Sequence, residues 1–219
     1  GHEGAGEVLE VGSEVKDLRV GDHVVAAFVP CCGSCEPCSH GRPALCEPGF
    51  KANSSGVLLS GAKRIHRNGA DIHHHLGVSA FAEHAVMARE SLVKVDPALP
   101  FDEAAIFGCA VMTGVGAVTN TVNPAPGASM AVVGLGGVGL AALLAARIVD
   151  AAIVVACDLS DEKLALARKL GATHTVNAAD PQAAERVKEL TRGGVDFAFE
   201  MAGSVKAMDL SYKITRRGG

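Results

Sequence analysis

The sequence has no basic excess: 20 Lys and Arg stand against 24 Asp and Glu, a formal net charge of −4, and the cations are scattered apart from short pairs such as Arg216 and Arg217. A nucleic-acid footprint needs clustered positive charge facing phosphates, so nucleic acid is not an expected partner. There is no long apolar run either. The longest, Met130 to Ala146, only touches the lower end of the ~17–25 residues that a bilayer span requires. Glycines at 134, 136, 137 and 139 interrupt its middle, so it reads as strand, turn and helix. No signal peptide, internal repeat or low-complexity tract is legible, and seven cysteines, an odd number, make a poor disulfide framework. These absences point to a reducing compartment, the cytoplasm, and away from secretion or membranes. An initiator Met is missing too: the chain opens at Gly1-His2-Glu3 and stops at Gly218-Gly219 straight after a helix-like stretch, as a piece cut at both ends would.

What the chain does hold is apolar residue, 48% of 219, enough for one large or two modest cores. Residues 1–110 are expected to form a mostly β domain, with "AGEVLEVG", "GDHVVAAFV" and "FAEHAVMARESLVKV" as its strand-like stretches. Between Ser55 and His75 the sequence turns polar and Gly-rich, which reads as a long surface excursion. From Pro126 the rhythm changes to strand then helix: "SMAVVG", "GVGLAALLAARIV", "AIVVACD", "DEKLALARKLGA", "HTVN", "PQAAERVKELTRG" and "VDFAFEMAG". That alternation predicts an α/β domain over residues 111–219, a doubly wound parallel sheet covered on both faces. Four strands are legible, and a complete dinucleotide fold has six, so about two are expected beyond the end of this chain.

Two motifs carry chemistry. Cys32, Cys35, Cys38 and Cys46 follow the spacing C-x2-C-x2-C-x7-C, with Gly33 and Gly41 letting the backbone fold back so that four sulfurs converge. Disulfides or idle core thiols are the plain alternatives, but spacing and compartment favour a metal, and four thiolates leave no open position, so the site reads as a closed structural zinc. A zinc knuckle for nucleic acid is rejected because Arg42 is the loop's only cation, against Glu36 and Glu47. Cys31 is out of spacing and reads as a bystander.

The second motif, "VVGLGGVGL", sets Gly134, Gly136 and Gly139 in the G-x-G-x-x-G arrangement between a strand and a helix, with Asp158 at the end of the following strand. Gly134 permits the tight turn, Gly136 the close approach of backbone to a pyrophosphate, and Gly139 the packing of helix on sheet. Asp158 can accept hydrogen bonds from an adenosine ribose and repels a 2′-phosphate, while Leu159 and Ser160 supply no arginine to hold one, which favours NAD over NADP.

A closed zinc site does no chemistry. Candidate ligands for a reactive metal are His2 in "GHEGAGEV" and Cys109 in "FGCAVMTGVGAV", though a residue of either kind, taken singly, is more often a core residue than a ligand. Taken together, "GHEGAGEV", the four-cysteine loop, "FGCAVMTGVGA", "VVGLGGVGL" and Asp158 with Lys163 occur in the order and approximate spacing of the zinc-dependent medium-chain alcohol dehydrogenases. The resemblance covers essentially the whole chain, and the excursion before His75 is similar to the dimeric branch with the class III and liver-type enzymes.

That resemblance implies a GroES-like catalytic domain followed by a Rossmann domain, and zinc and NAD as cofactors. It implies that His2 and Cys109 are two of three protein ligands to a catalytic zinc, with Glu3 just behind the metal, and that the third ligand, a cysteine, lies upstream together with the proton relay. It further implies that Thr113 borders the nicotinamide, that Gly134, Leu135, Gly136, Gly137, Val138 and Gly139 hold the pyrophosphate, and that Asp158 and Lys163 hold the adenosine ribose. His75, with Leu76 beside it, falls where the family usually has an aromatic facing substrate. Phe50 falls where glutathione-dependent formaldehyde dehydrogenases have an arginine, which argues against a glutathione adduct. The expected activity is hydride transfer between an alcohol or aldehyde and NAD(H) by a homodimeric enzyme, with the chain by itself inactive. A reductase or dismutase with tightly bound nicotinamide, or a noncatalytic zinc- and nucleotide-binding regulator, are the alternatives.

Overall fold

Short stretches bounded by turn residues build the first sheet. The computed structural model describes all 219 residues. The chain divides into two units, Gly1–Cys109 and Ala110–Gly219. The first unit runs through β1 (Ala5–Glu7), β2 (His23–Ala26), α1 (Glu36–Ser39), α2 (Glu47–Ser55), β3 (Ile65–Arg67), β4 (Ala70–Ile72), β5 (Leu92–Lys94) and the single turn α3 (Phe101–Ala104). Strands β1, β2 and β5 pair antiparallel in that order, with Val25 opposite both Ala5 and Val93. Val8, Leu18 and Val24 form the small core beneath.

The polar excursion is not structureless. Its centre is the hairpin β3–β4, turned by Asn68 and Gly69 at φ 52° and 78°, the left-handed pair that matches strand twist in a tight hairpin. The strand expected from "FAEHAVMA" does not form: residues 81–88 are irregular, pair with no strand, and leave Phe81 93% exposed. An alternating pattern becomes a strand only where a neighbour completes its ladder.

The second unit runs through α4 (Ala110–Gly116), a π-helical turn at Ala117–Val122, β6 (Ser129–Val133), α5 (Gly137–Ile148), β7 (Ile153–Asp158), α6 (Asp161–Lys169), β8 (His174–Asn177), α7 (Ala183–Thr191), β9 (Phe197–Glu200) and α8 (Val205–Ile214). The sheet is parallel, in the order β8-β7-β6-β9. Successive strand residues face opposite ways. Met130, Val132, Val154 and Ala156 pack with Leu143 of α5 and Leu164 of α6, while Ala131, Val133, Val155 and Cys157 pack with Val187 of α7 and Ile214 of α8. Burial on both faces is why these strands read as unbroken apolar runs. The order reverses at β6, which places a crevice beyond the carboxyl ends of β6, β7 and β9. No single helix is long and apolar enough to cross a membrane.

Candidate functional sites

The four loop cysteines converge. Their sulfurs all lie within 4.8 Å of one another. The Cys35 and Cys46 sulfurs are 3.9 Å apart, close to the edge of about 3.8 Å that a zinc tetrahedron with ~2.3 Å Zn–S bonds requires. The backbone is wrapped to donate to them: Cys32 N–H and Gly49 N–H reach Cys46 Sγ at 3.2 and 3.3 Å, and Cys35 N–H reaches Cys32 Sγ at 3.3 Å. Donors from Ser34 and Cys35 lower the Cys32 thiol to about 6, whereas burial, reinforced by the neighbouring Cys35, pushes Cys38 up to about 12. Four crowded sulfurs resist carrying several negative charges, and a divalent cation among them removes that resistance, so the donor set fits zinc. Cys31 is half-buried and stands outside the cluster.

A second locus in the first unit brings together residues a hundred positions apart. Ala26, at the end of β2, donates its N–H to Gly4 O at 2.8 Å. Its carbonyl oxygen lies where a Cβ on Gly108 would come within 2.2 Å. The segment carrying His2 and Glu3 and the turn leading to Cys109 are therefore both fastened to one residue, and only glycine fits at 108. His2 and Cys109 are half-buried. The His2 ring meets Phe28 edge-on at 5.1 Å and His75 at 6.1 Å. His75 is presented by a compact turn in which its N–H donates to Ser79 Oγ at 2.8 Å, and Leu76 and Ser79 take φ 55° and 51°. Left-handed backbone at a branched apolar residue such as Leu76 is a strained, over-determined conformation. Phe28 carried no recognisable signal in the sequence. Phe50 is 73% exposed, at the surface of α2.

In the second unit the three motif glycines have separate geometries. Gly134 turns at φ 98°. A Cβ on Gly139 would sit 1.8 Å from Gly134 O, so the first turn of α5 lies directly on the strand end. A Cβ on Gly136 would meet nothing within 4 Å, so the backbone there faces open space that a ligand can enter. Asp158, its side chain 11% exposed, accepts Leu135 N–H at 2.7 Å and Ser160 N–H at 2.9 Å. A carboxylate offers about four acceptor positions, so two remain for hydroxyl groups. Lys163 Nζ stands 4.0 Å from Asp158, at the limit of an ion pair. Gly134, Leu135, Gly136, Asp158, Lys163 and Ala202 line a crevice of about 640 Å³. This cradle fits a dinucleotide. Thr113 is exposed on α4, one residue before Gly114, where α4 crosses α5 so closely that a Cβ would lie 2.2 Å from Val138 O.

A family model for the alcohol dehydrogenase GroES-like domain matches residues 1–97, and one for zinc-binding dehydrogenases matches residues 137–219. The chain belongs to the zinc-dependent medium-chain alcohol dehydrogenase family. Among curated members it is 40% identical over 220 residues to an S-(hydroxymethyl)glutathione dehydrogenase of Synechocystis sp., covering 100% of this chain and 60% of that protein. It is 38% identical, with the same coverage, to one of Escherichia coli. Among solved alcohol dehydrogenases it is similar to an alcohol dehydrogenase zinc-binding domain protein of Burkholderia ambifaria, with TM-score 0.91, 36% identity, and 98% and 58% of the two chains covered. It is also similar to benzyl alcohol dehydrogenase of Acinetobacter calcoaceticus, with TM-score 0.89, 36% identity, and 100% and 59% covered. The chain thus spans about 60% of the length of the curated members it matches.

Proposed function

We propose that this chain belongs to an NAD-dependent alcohol dehydrogenase that interconverts an alcohol and its aldehyde. The observation that carries the proposal is the crevice of the second unit, in which the open face of Gly136 adjoins the Asp158 carboxylate, on a chain of this family. In this reading the N–H groups of the 134–139 turn and the first turn of α5 bind the pyrophosphate, Asp158 and Lys163 take the adenosine ribose, and Thr113 borders the nicotinamide. His2 and Cys109 hold a catalytic zinc, with Glu3 behind it; an imidazole and a thiol suit that ion, and the backbone near each of them, at Gly4 and Gly108, meets Ala26. When bound, zinc supplies Lewis acidity toward the alcohol oxygen, and NAD accepts the hydride.

His75 and Leu76 form the wall of the substrate pocket beside His2. Phe50 offers no charge with which to pair a glutathione carboxylate, so the proposed substrate is a free alcohol or aldehyde. The enzyme works as a homodimer in the cytoplasm, a compartment compatible with seven free cysteines. The test is NADH formation by the full-length protein with a panel of primary alcohols, with and without glutathione. Turnover without glutathione, NAD favoured at least about tenfold over NADP, and a narrowed preference in Asp158→Gly are expected. Equal use of NADP, or formaldehyde oxidation that requires glutathione, would overturn the assignment.

A further inference from the structure

Two strands that end beside the crevice of the second unit, β7 and β9, each close on a carboxylate, and the family resemblance gave a role to only one; Asp158 lines the crevice itself, whereas on the β9 side the lining is Met201 and Ala202, next to Glu200. Glu200 is the last residue of β9, paired in register with Val133 of β6. It is half-buried, and its Oε1 accepts two backbone N–H groups, from Ala202 and Gly203, both at 2.8 Å. These bonds tie down the turn between β9 and α8, which has Gly203 at φ 69° and Ser204 capping the helix. The turn is not a remote loop. Ala202 lies so close to Gly134 that a Cβ on the glycine would come within 2.7 Å of Ala202 N, 2.8 Å of its Cβ and 2.9 Å of its Cα.

The Gly134 turn is therefore held from two sides. On the β7 side, Gly134 N–H donates to Cys157 O at 2.8 Å and Leu135 N–H to Asp158. On the β9 side, Met201 N–H donates to Val133 O at 2.8 Å, and the turn that Glu200 closes abuts Gly134. Residue 202 faces the crevice, so any drift of that turn changes the shape of the space beside Gly136.

We infer that Glu200 is a positioning residue for dinucleotide binding, acting through its two hydrogen bonds to the 202–203 backbone rather than through contact with the cofactor. The inference rests on the dinucleotide reading of the crevice. A glutamine at 200 keeps an oxygen that can accept both N–H groups, whereas an alanine keeps none, which separates hydrogen bonding from charge.

The experiment compares wild type, Glu200→Gln and Glu200→Ala in the full-length protein. It reads NADH affinity by fluorescence titration, the KM values for NAD and alcohol, and amide exchange across residues 201–204 in the absence of cofactor. Glu200→Ala is expected to weaken NADH binding and raise the KM for NAD by roughly threefold to tenfold, the scale of an ordinary hydrogen bond lost where water can partly replace the acceptor, since Ala202 and Gly203 are exposed. The alcohol KM should stay within about twofold, exchange at 202 and 203 should quicken, and glutamine should restore all three. If the alanine variant does not fold, Glu200→Asp, one methylene too short to reach both groups, replaces it. Wild-type-like NADH affinity and exchange in the alanine or aspartate variant would overturn the inference, and so would a glutamine variant as weak as alanine. A wild type that failed to bind NADH would instead refute the cofactor reading, while the exchange comparison would still judge the bracing.

Discussion

Adding one methyl group at Gly139 and at Gly136 should produce opposite defects. At 139 the new Cβ lies 1.8 Å from Gly134 O and 2.9 Å from its carbonyl carbon, against an ordinary contact of 3.4 Å or more, so α5 must withdraw by about 1.6 Å. Neither side can yield cheaply. One is the backbone of a turn fixed at φ 98°, and the other is a helix whose Ala142, Leu143, Ala145 and Ala146 are fully buried against the sheet. Both obstacles are backbone, so the cost belongs at the upper end of overpacking, about 3 kcal/mol, or roughly 10–20 °C in Tm for a unit of this size. At 136 the Cβ meets nothing, and φ of −78° suits alanine, so only the helix-cap preference is lost, ~0.5–1 kcal/mol. That methyl group would instead occupy the space proposed for the pyrophosphate. Thermal unfolding followed by far-ultraviolet circular dichroism, paired with NADH titration of the full-length protein, separates the two. A Gly139→Ala variant as stable as wild type, or a Gly136→Ala variant that binds NADH normally, would refute the argument.

Three further outcomes are expected. Cys46→Ser should abolish retention of zinc by the four-cysteine loop after dialysis against a weak chelator, as measured by metal analysis, because Cys46 is 1% exposed and anchors two backbone donors. Asp196→Asn should destabilise the second unit at neutral pH. Asp196 accepts the Ser129 N–H at 2.7 Å and pairs with Arg216, and the Ser129 donor holds its carboxyl below the usual 3.8. A depressed folded value means that this stabilisation is fully present above pH ~4 and disappears as pH falls through the folded value, so the wild-type and Asn unfolding curves should converge in acid. His75→Phe should shift the selectivity of the full-length enzyme toward apolar alcohols with little change in Tm; lost stability with unchanged selectivity would make His75 a loop residue instead.

The parallel sheet was legible because strands buried on both faces leave continuous β-branched runs, and the glycine motif because each of its positions answers a separate steric demand. The four-cysteine loop was legible because its ligands are local. Less was readable where structure depends on partners distant in sequence. The meeting of Gly4 and Gly108 on Ala26 follows from strand register, which no short motif encodes. The β3–β4 hairpin did carry a signal, Asn68-Gly69, hidden within a stretch that looks merely polar. Helix α2 lacks an apolar face; its boundaries are set by Pro48 at the start and by Gly56 at φ 63° at the end. Glu200 could have been flagged as an acid closing a strand three residues before a glycine, but its two acceptor bonds appear only in three dimensions.

The short span of the cysteine loop has a consequence in time. Its last ligand, Cys46, is made 63 residues before Cys109 (109 − 46), which at ~5–20 residues per second is a lead of roughly 3–13 s on the ribosome. The loop closes over few residues and can take its ion while the rest of the first unit is still being synthesised, whereas His2 must wait for the turn at Gly108 before it has a companion at Ala26. The order in which the cysteine loop and the zinc site proposed at His2 and Cys109 can draw on a limited zinc supply is thus written into their spacing along the chain.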